Sequence, residues 1–406
     1  MDNYNSVRVG KIYHYHNPRD IGTSGHDDHF TWDQTVNPYG RDKIEEYKLN
    51  KVKENFDGAT LSWLESEGLD SEQTDGIGAD ETIKFLEKFS KSKENFFLAF
   101  GLYRPHIPFV APKKYFDMYN QSEMEIPYSG SNDSYLNTIP IPAQHSVRWK
   151  KDQIKLNLKK NNKLAQEIKE AYYATTTFVD AQIGRILKKL KRTGLDKNTI
   201  VVFTSDHGYH LGEHGHWQKQ TLFENSTRVP LIFSGPGIPS GVSSNSPVEL
   251  IDIYPTLTDI TKIETPSHVV GKSLVPIFND NNFKVRESAL TRWKASQNNK
   301  EFEGYSIKTE RYRVTKWGED GEDGFELYDH SNDPEEMLNL ANNINYKIIL
   351  DSLKLHLDLR IKDAMKKPPG LGPQFEERRL RKEVNYTPGD IHSIDGKRIY
   401  IKPADE

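Results

Sequence analysis

The sequence has no cysteine in 406 residues. That excludes disulfides, thiolate metal ligands and a cysteine nucleophile among these residues. No apolar run approaches the roughly 20 residues that a membrane-spanning helix needs. Bulk charge is also missing, since 55 Lys and Arg against 59 Asp and Glu leave a net charge of -4. Charge therefore gives no reason to expect a nucleic-acid partner or an anionic membrane surface. The opening MDNYNSVRVGK lacks an apolar secretory core, so no signal peptide is expected in the chain as written. Its cellular location is not legible.

What is present is a polar chain with enough aromatic residues, 11%, to build cores. The length suits one large domain with a smaller one. Val7–Tyr13 reads as a short strand. The apolar spacing of Ile83, Leu86 and Phe89 predicts a helix over Ala79–Lys91, and NFFLAF (Asn95–Phe100) predicts a buried strand. Ala165–Arg192 is the clearest helix, with lysines in its last turns and Gly194 as its stop. TIVVFT (Thr199–Thr204) and VPLIF (Val229–Phe233) read as strands, and Leu250–Ile260 as a helix. Beyond residue 286, short strands are expected at Glu287–Trp293, Gly304–Thr309 and Tyr312–Lys316, then a helix at Ile344–Lys362. Prolines and glycines after Lys366 suggest an extended arm.

Three segments carry candidate chemistry. The densest is TSDHGYHLGEHGHWQK, Thr204–Lys219, with four histidines between His207 and His216. It follows a predicted strand, so its polar groups emerge at that strand's carboxyl end, where open α/β sheets bind ligands. Asp206 and His207 offer oxygen and nitrogen donors on one turn, suited to a divalent cation. The second is YRPHIPF, Tyr103–Phe109, in which prolines on both sides of His106 fix its backbone. A rigid imidazole suits a general acid or an anion-binding donor. The third is GKIYH, where Lys11 and His14 at a strand end could grip an anion. Each segment alone also reads as a solvated loop or a packed turn. Together they supply cations and imidazoles around a metal, the equipment for hydrolysing a phosphate or sulfate ester.

GKIYH, FFLAFGLYRPHIPF, AYYATTTFVDAQIGRIL, VVFTSDHGYHLGEHGHWQK and RVPLIFSGPG, in this order, resemble the sulfatase family. The DHG turn resembles the iduronate-2-sulfatase-type branch, and GFELYDHSNDPEEMLNLA resembles the family's C-terminal subdomain. The resemblance covers most of residues 4–360. It implies an α/β fold of the alkaline-phosphatase type, with a mixed, mostly parallel central sheet flanked by helices. A small C-terminal α+β subdomain with an antiparallel sheet should follow. The expected divisions are 1–285, 286–365 and an arm at 366–406.

The resemblance also implies a sulfuric ester hydrolase that removes sulfate from a sulfated sugar or polysaccharide with Ca2+. Asp206 and His207 would bind the metal. Lys11 and His14 would act on the hydrated aldehyde nucleophile. His106 and Lys219 would hold the sulfate and protonate the leaving alcohol. No role is assigned to His214 or His216. The family's nucleophile is a formylglycine made from a Cys/Ser-x-Pro-x-Arg motif, and no such motif occurs here. Ser234-Gly235-Pro236 is followed by Gly237-Ile238, without the arginine. Asp27-Asp28 follows Ser-Gly-His rather than a strand and reads as loop, not as the family's metal-binding aspartate pair. The motif is expected upstream of residue 1, which would make the chain catalytically incomplete as written. Two rival readings stand beside this one: a non-catalytic fragment or glycan-binding pseudoenzyme, and a metal-dependent phospho-ester hydrolase on the same scaffold.

Overall fold

The computed structural model describes residues 4–14, 17–24, 27, 28, 30–53, 60–127, 135–148, 156, 162–297, 300–366, 391, 392, 398 and 399. Two compact units are present. One comprises Met1–Met124, Gln166–Lys197 and Gly372–Glu406, and the other Glu125–Ala165 and Asn198–Leu371. Most of the expected arm at 366–406 lies outside the described residues.

The first unit is built on parallel strands. β1 (Tyr4–Gly10) lies between β2 (Gln34–Val36) and β5 (Asn95–Gly101), parallel to both. A second small sheet has the order β3 (Asn50–Lys51), β4 (Ser62–Ser66), β6 (Phe109–Pro112), with β4 and β6 parallel. Parallel neighbours need a crossover. The helix Thr74–Ser92 supplies it ahead of β5. Val7 and Val9, fully buried, pack on that helix through Phe89, together with Phe96, Leu98 and Phe100. The Phe89 and Phe96 rings stack with centroids 4.7 Å apart. The period-2 pattern of β1 and β5 thus meets the 3.6-residue pattern of the helix.

The expected strand Val7–Tyr13 is shifted. β1 starts at Tyr4 and stops at Gly10, whose φ is +73°. Lys11 and Tyr13 therefore lie in the loop beyond the strand rather than within it. The expected helices extend to Thr74–Ser92 and Lys163–Arg192.

In the second unit, β7 (Val201–Thr204) pairs antiparallel with β8 (Leu231–Ser234). A four-stranded antiparallel sheet follows, in the order β12 (Gly324–Asp329), β11 (Tyr312–Trp317), β10 (Lys300–Lys308), β9 (Ala289–Gln297). The helix Lys347–Ala364 covers one face, burying Leu350 and Leu357 against Ile307, Val314 and Leu327. β12 escapes the sequence reading because its last four residues are all buried, which erases the in-out alternation. No described helix is long and apolar enough to cross a membrane.

Candidate functional site

The site residues of the first unit stand just past two adjacent parallel strands. Gly10 and Gly101 are register partners at the ends of β1 and β5. A Cβ on Gly10 would sit 2.1 Å from the Gly101 carbonyl oxygen, so the approach requires glycine. The Lys11 amide donates to the same carbonyl at 2.8 Å. Both chains thus leave the sheet side by side. His14 and His106 face one another, with ring centroids 5.5 Å apart. The structure therefore brings together His14 and His106, which are far apart in sequence, with Lys11 following directly on β1.

His106 is held through its neighbours. Its Nδ1 lies 2.7 Å from the Ile107 carbonyl oxygen. A carbonyl only accepts, so Nδ1 carries the proton in the neutral ring. The turn is anchored to the first turn of the helix Thr74–Ser92. Asp75 accepts from the Tyr103 and Arg104 amides at 2.8 and 2.9 Å. Arg104 donates to Asp42 Oδ2 at 2.7 Å and to the His106 carbonyl at 3.3 Å. Asp42 Oδ1 in turn accepts from the Thr74 amide at 2.7 Å, satisfying one of the N–H groups a helix start leaves over. Asp42, Asp75 and Arg104 are all buried. Burial pushes the Asp75 carboxyl up to about 6, against the pull of Arg104.

A similar clamp holds the approach to Lys11. Arg8 makes a bidentate pair with Asp27, at 3.2 and 2.5 Å, and donates to the Gly10 carbonyl at 2.6 Å. Both side chains are 2% exposed. Asp27 is therefore no plain loop residue. Its carboxylate is committed to Arg8, which agrees with excluding it as a metal ligand. Residue patterns give no sign of this pair, because a buried Arg in a strand and an Asp in a polar loop each look unremarkable alone.

In the second unit, Asp206 and His207 follow β7 directly. His207 Nδ1 lies 2.7 Å from the Gly208 carbonyl oxygen and so carries the proton. Its Nε2 is 3.6 Å from Asp206 Oδ1. One nitrogen and one carboxylate oxygen thus converge at an exposed turn. A Cβ on Gly208 would sit 2.0 Å from the Asn225 carbonyl oxygen, so this turn also requires glycine.

The remaining histidines point inward. His210 is fully buried, with Nε2 2.9 Å from Thr221 Oγ1. His214 stacks on Phe223 at 4.0 Å, with Nδ1 3.1 Å from Tyr135 Oη. His216 Nδ1 donates to the Val147 carbonyl at 3.1 Å. Burial lowers the His210 imidazole well below its usual range and His214 to about 4. The His210 and His214 rings are therefore neutral at pH 7. Lys219, at the end of this loop, is half-buried, and its carbonyl accepts from the Thr221 amide at 2.9 Å.

Among the described residues, Glu224, His330 and Glu336 form a trio whose donor atoms are close enough to hold a metal. The sequence gives no hint of it. Arg313 already fills that role: it donates to Glu336 Oε1 at 2.6 Å and also bonds Glu224. Burial works to raise the Glu336 carboxyl, but Arg313 and His330 hold it down at about 2. The guanidinium supplies the charge that a cation would bring. Asp206 and His207 by themselves offer two donors, fewer than the six to eight oxygens typical of Ca2+.

Comparison with known proteins bears on the whole chain. The family model described as Sulfatase matches residues 2–263, and the one described as N-sulphoglucosamine sulphohydrolase, C-terminal, matches residues 212–363. A sulfatase of Formosa agariphila is 32% identical over 370 residues, covering 86% of this chain and 66% of that protein. Human iduronate 2-sulfatase is 27% identical over 416 residues, covering 84% of this chain and 74% of its own. Against an arylsulfatase of Clostridium perfringens, 33% identical, the matched part is 55% of that protein. The chain thus spans about half to three-quarters of these relatives. Among solved structures, BT4656 in complex with its substrate D-glucosamine-2-N,6-O-disulfate superposes with a TM-score of 0.64 at 21% identity, covering 91% of this chain and 82% of that one. The phosphonate monoester hydrolase SpPMH from Silicibacter pomeroyi gives 0.71 at 20% identity, covering 90% and 78%. Likeness at such identities speaks to the fold alone.

Proposed function

Because this chain belongs to the sulfatase family, we propose that its site residues serve hydrolysis of a sulfate ester on a sulfated carbohydrate. The observation that carries the reading is the His14–His106 pair beside Lys11, past the carboxyl ends of β1 and β5. Lys11 supplies fixed positive charge that stabilises the attacking nucleophile. His106 presents Nε2, which as imidazolium can protonate the departing sugar alkoxide. His14 takes the proton from the attacking group. Lys219 grips the sulfate. Asp206 and His207 would hold a divalent cation, Ca2+ by family resemblance, which when bound polarises the ester oxygens.

The nucleophile is not among these residues. No Cys/Ser-x-Pro-x-Arg stretch occurs in the sequence, so it offers no precursor of formylglycine. The reading therefore needs a formylglycine-bearing segment that these 406 residues do not supply. The names of the relatives favour a sulfated sugar as substrate: the human relative is an iduronate 2-sulfatase, and BT4656 was solved with a glucosamine disulfate.

The test joins these residues to such a segment and measures sulfate release from sulfated oligosaccharides, with a phosphonate monoester as competitor. Sulfate release that falls at least about a hundredfold in His106→Ala, the scale of a lost general acid, supports the reading. Cleavage of the phosphonate without sulfate release overturns it in favour of the phospho-ester rival.

A further inference from the structure

The buried triad of Asp42, Asp75 and Arg104 does more than its charges require. Asp42 pairs with the Arg104 guanidinium and Asp75 feels its charge, an arrangement that is costly to bury and is often replaceable by apolar packing. Asp42 also caps the helix at Thr74, but the hydrogen bonds of Asp75 and Arg104 converge on one short turn. Asp75 holds the amides of Tyr103 and Arg104, and Arg104 holds the carbonyl of His106. The His106 amide closes onto the Tyr103 carbonyl at 2.9 Å. The four contacts pin the backbone on both sides of the imidazole. The Ile107 carbonyl that accepts from Nδ1, and so selects the ring tautomer, lies one residue beyond the carbonyl that Arg104 holds.

We propose that Arg104, held by Asp42, is the positioning residue for His106, fixing its ring as the Nδ1–H tautomer. This rests on the functional reading above in giving His106 a chemical role, but the tautomer is a property of the chain itself. Arg suits the task better than Lys, because its fork can bond Asp42 and the His106 carbonyl at once.

The experiment is nitrogen NMR on the full chain with labelled histidine, read at a pH where His106 is neutral. A His106→Gln chain assigns its signals. The wild type should show Nδ1 protonated and Nε2 unprotonated. In Arg104→Met the pattern should invert or average toward the Nε2–H form that free imidazole side chains prefer, while the His210 and His214 signals stay in place. Arg104→Lys should restore the wild-type pattern only in part. A general loss of structure would move all three histidines and the thermal transition, so a change confined to His106 separates positioning from mere stability. If Arg104→Met does not melt cooperatively, Asp42→Asn is read on the same signals, since it keeps Arg104 and the shape of the site but removes its partner charge. A folded variant of either kind with an unchanged His106 pattern overturns the proposal. Failure of sulfate release in the functional assay would leave the NMR result untouched, so the two readings fail separately.

Discussion

At the scale of single residues, two glycines decide whether the candidate groups can stand where they do. Gly10 combines a φ of +73° with a carbonyl 2.1 Å from where a Cβ would sit. Gly10→Ala must bear left-handed strain and push β5 away from β1. A loss of roughly 3 kcal/mol is expected, from about 1–2 for the backbone and the rest for overpacking. A urea melt measures it, and a change below about 0.5 kcal/mol would contradict the geometry.

Titration of one buried acid is a second test at this scale. Glu326 accepts from Trp317 Nε1 at 2.5 Å and from Tyr328 Oη at 2.7 Å. Burial nonetheless pushes its carboxyl up to about 7. A raised acid binds its proton more tightly when folded, so its contribution is full below the ordinary glutamate value and is lost as pH rises toward 7. His214 opposes it, because an imidazole lowered to about 4 costs stability as pH falls from its usual range to that value. The difference between wild type and Glu326→Gln isolates the acid. The wild type should lose stability relative to the variant between about pH 4.5 and 7. A difference that is flat or rises over that window would show the carboxyl to be ionised throughout.

At the scale of elements, the motifs were legible and the scaffolding was not. DHG after an apolar run, and His106 between two prolines, stand out because reactive residues cluster where strands end. The parallel β1–β5 pair and its crossover helix follow from apolar spacing. The groups that hold the site lie elsewhere in sequence. Asp42 and Asp75 are polar residues in short or amphipathic segments, and nothing in a linear pattern says that they are buried. The end of β1 was misplaced because the strand pattern runs on through Tyr13, whereas a backbone turn at Gly10 ends the pairing. Histidines crowded at 207–216 look alike in sequence, yet the structure separates a half-buried His207 from three buried rings. Burial comes from contacts with Tyr135, Val147 and Phe223, which local sequence does not reveal.

The link between β11 and its surroundings gives a prediction at this scale. Arg313, 2% exposed, sits between Glu336, 1% exposed, and Glu224. Removing one partner of a buried ion pair leaves an uncompensated charge, which costs about 3–5 kcal/mol. Arg313→Met should lower stability by that amount at pH 7. Glu336, held down at about 2, contributes stability that is present above its ordinary value and lost as pH falls toward 2. The deficit of the variant should therefore shrink with acidification below about pH 4.5. Equal deficits at pH 7 and pH 3 would mean that charge pairing is not what Arg313 supplies.

At the scale of the whole molecule, family membership and site content have to be held apart. The chain belongs to the sulfatase family, but its sequence holds no Cys/Ser-x-Pro-x-Arg motif, and the roles proposed for Lys11, His14, His106, Asp206, His207 and Lys219 rest on resemblance. Two consequences follow for these 406 residues by themselves. Sulfated oligosaccharides should yield no free sulfate, since nothing present can form formylglycine. Ca2+ should bind weakly, with a Kd on the order of 10⁻⁴–10⁻³ M or above, because Asp206 and His207 leave most of the coordination shell to water. Calorimetric titration of the chain with Ca2+ checks the second point, with Asp206→Asn as the control that removes the carboxylate. The control should abolish what binding there is without moving the thermal transition, because Asp206 is exposed and packs little surface. Micromolar binding that survives Asp206→Asn would place the cation elsewhere, with the Glu224–His330–Glu336 trio as the next group to mutate.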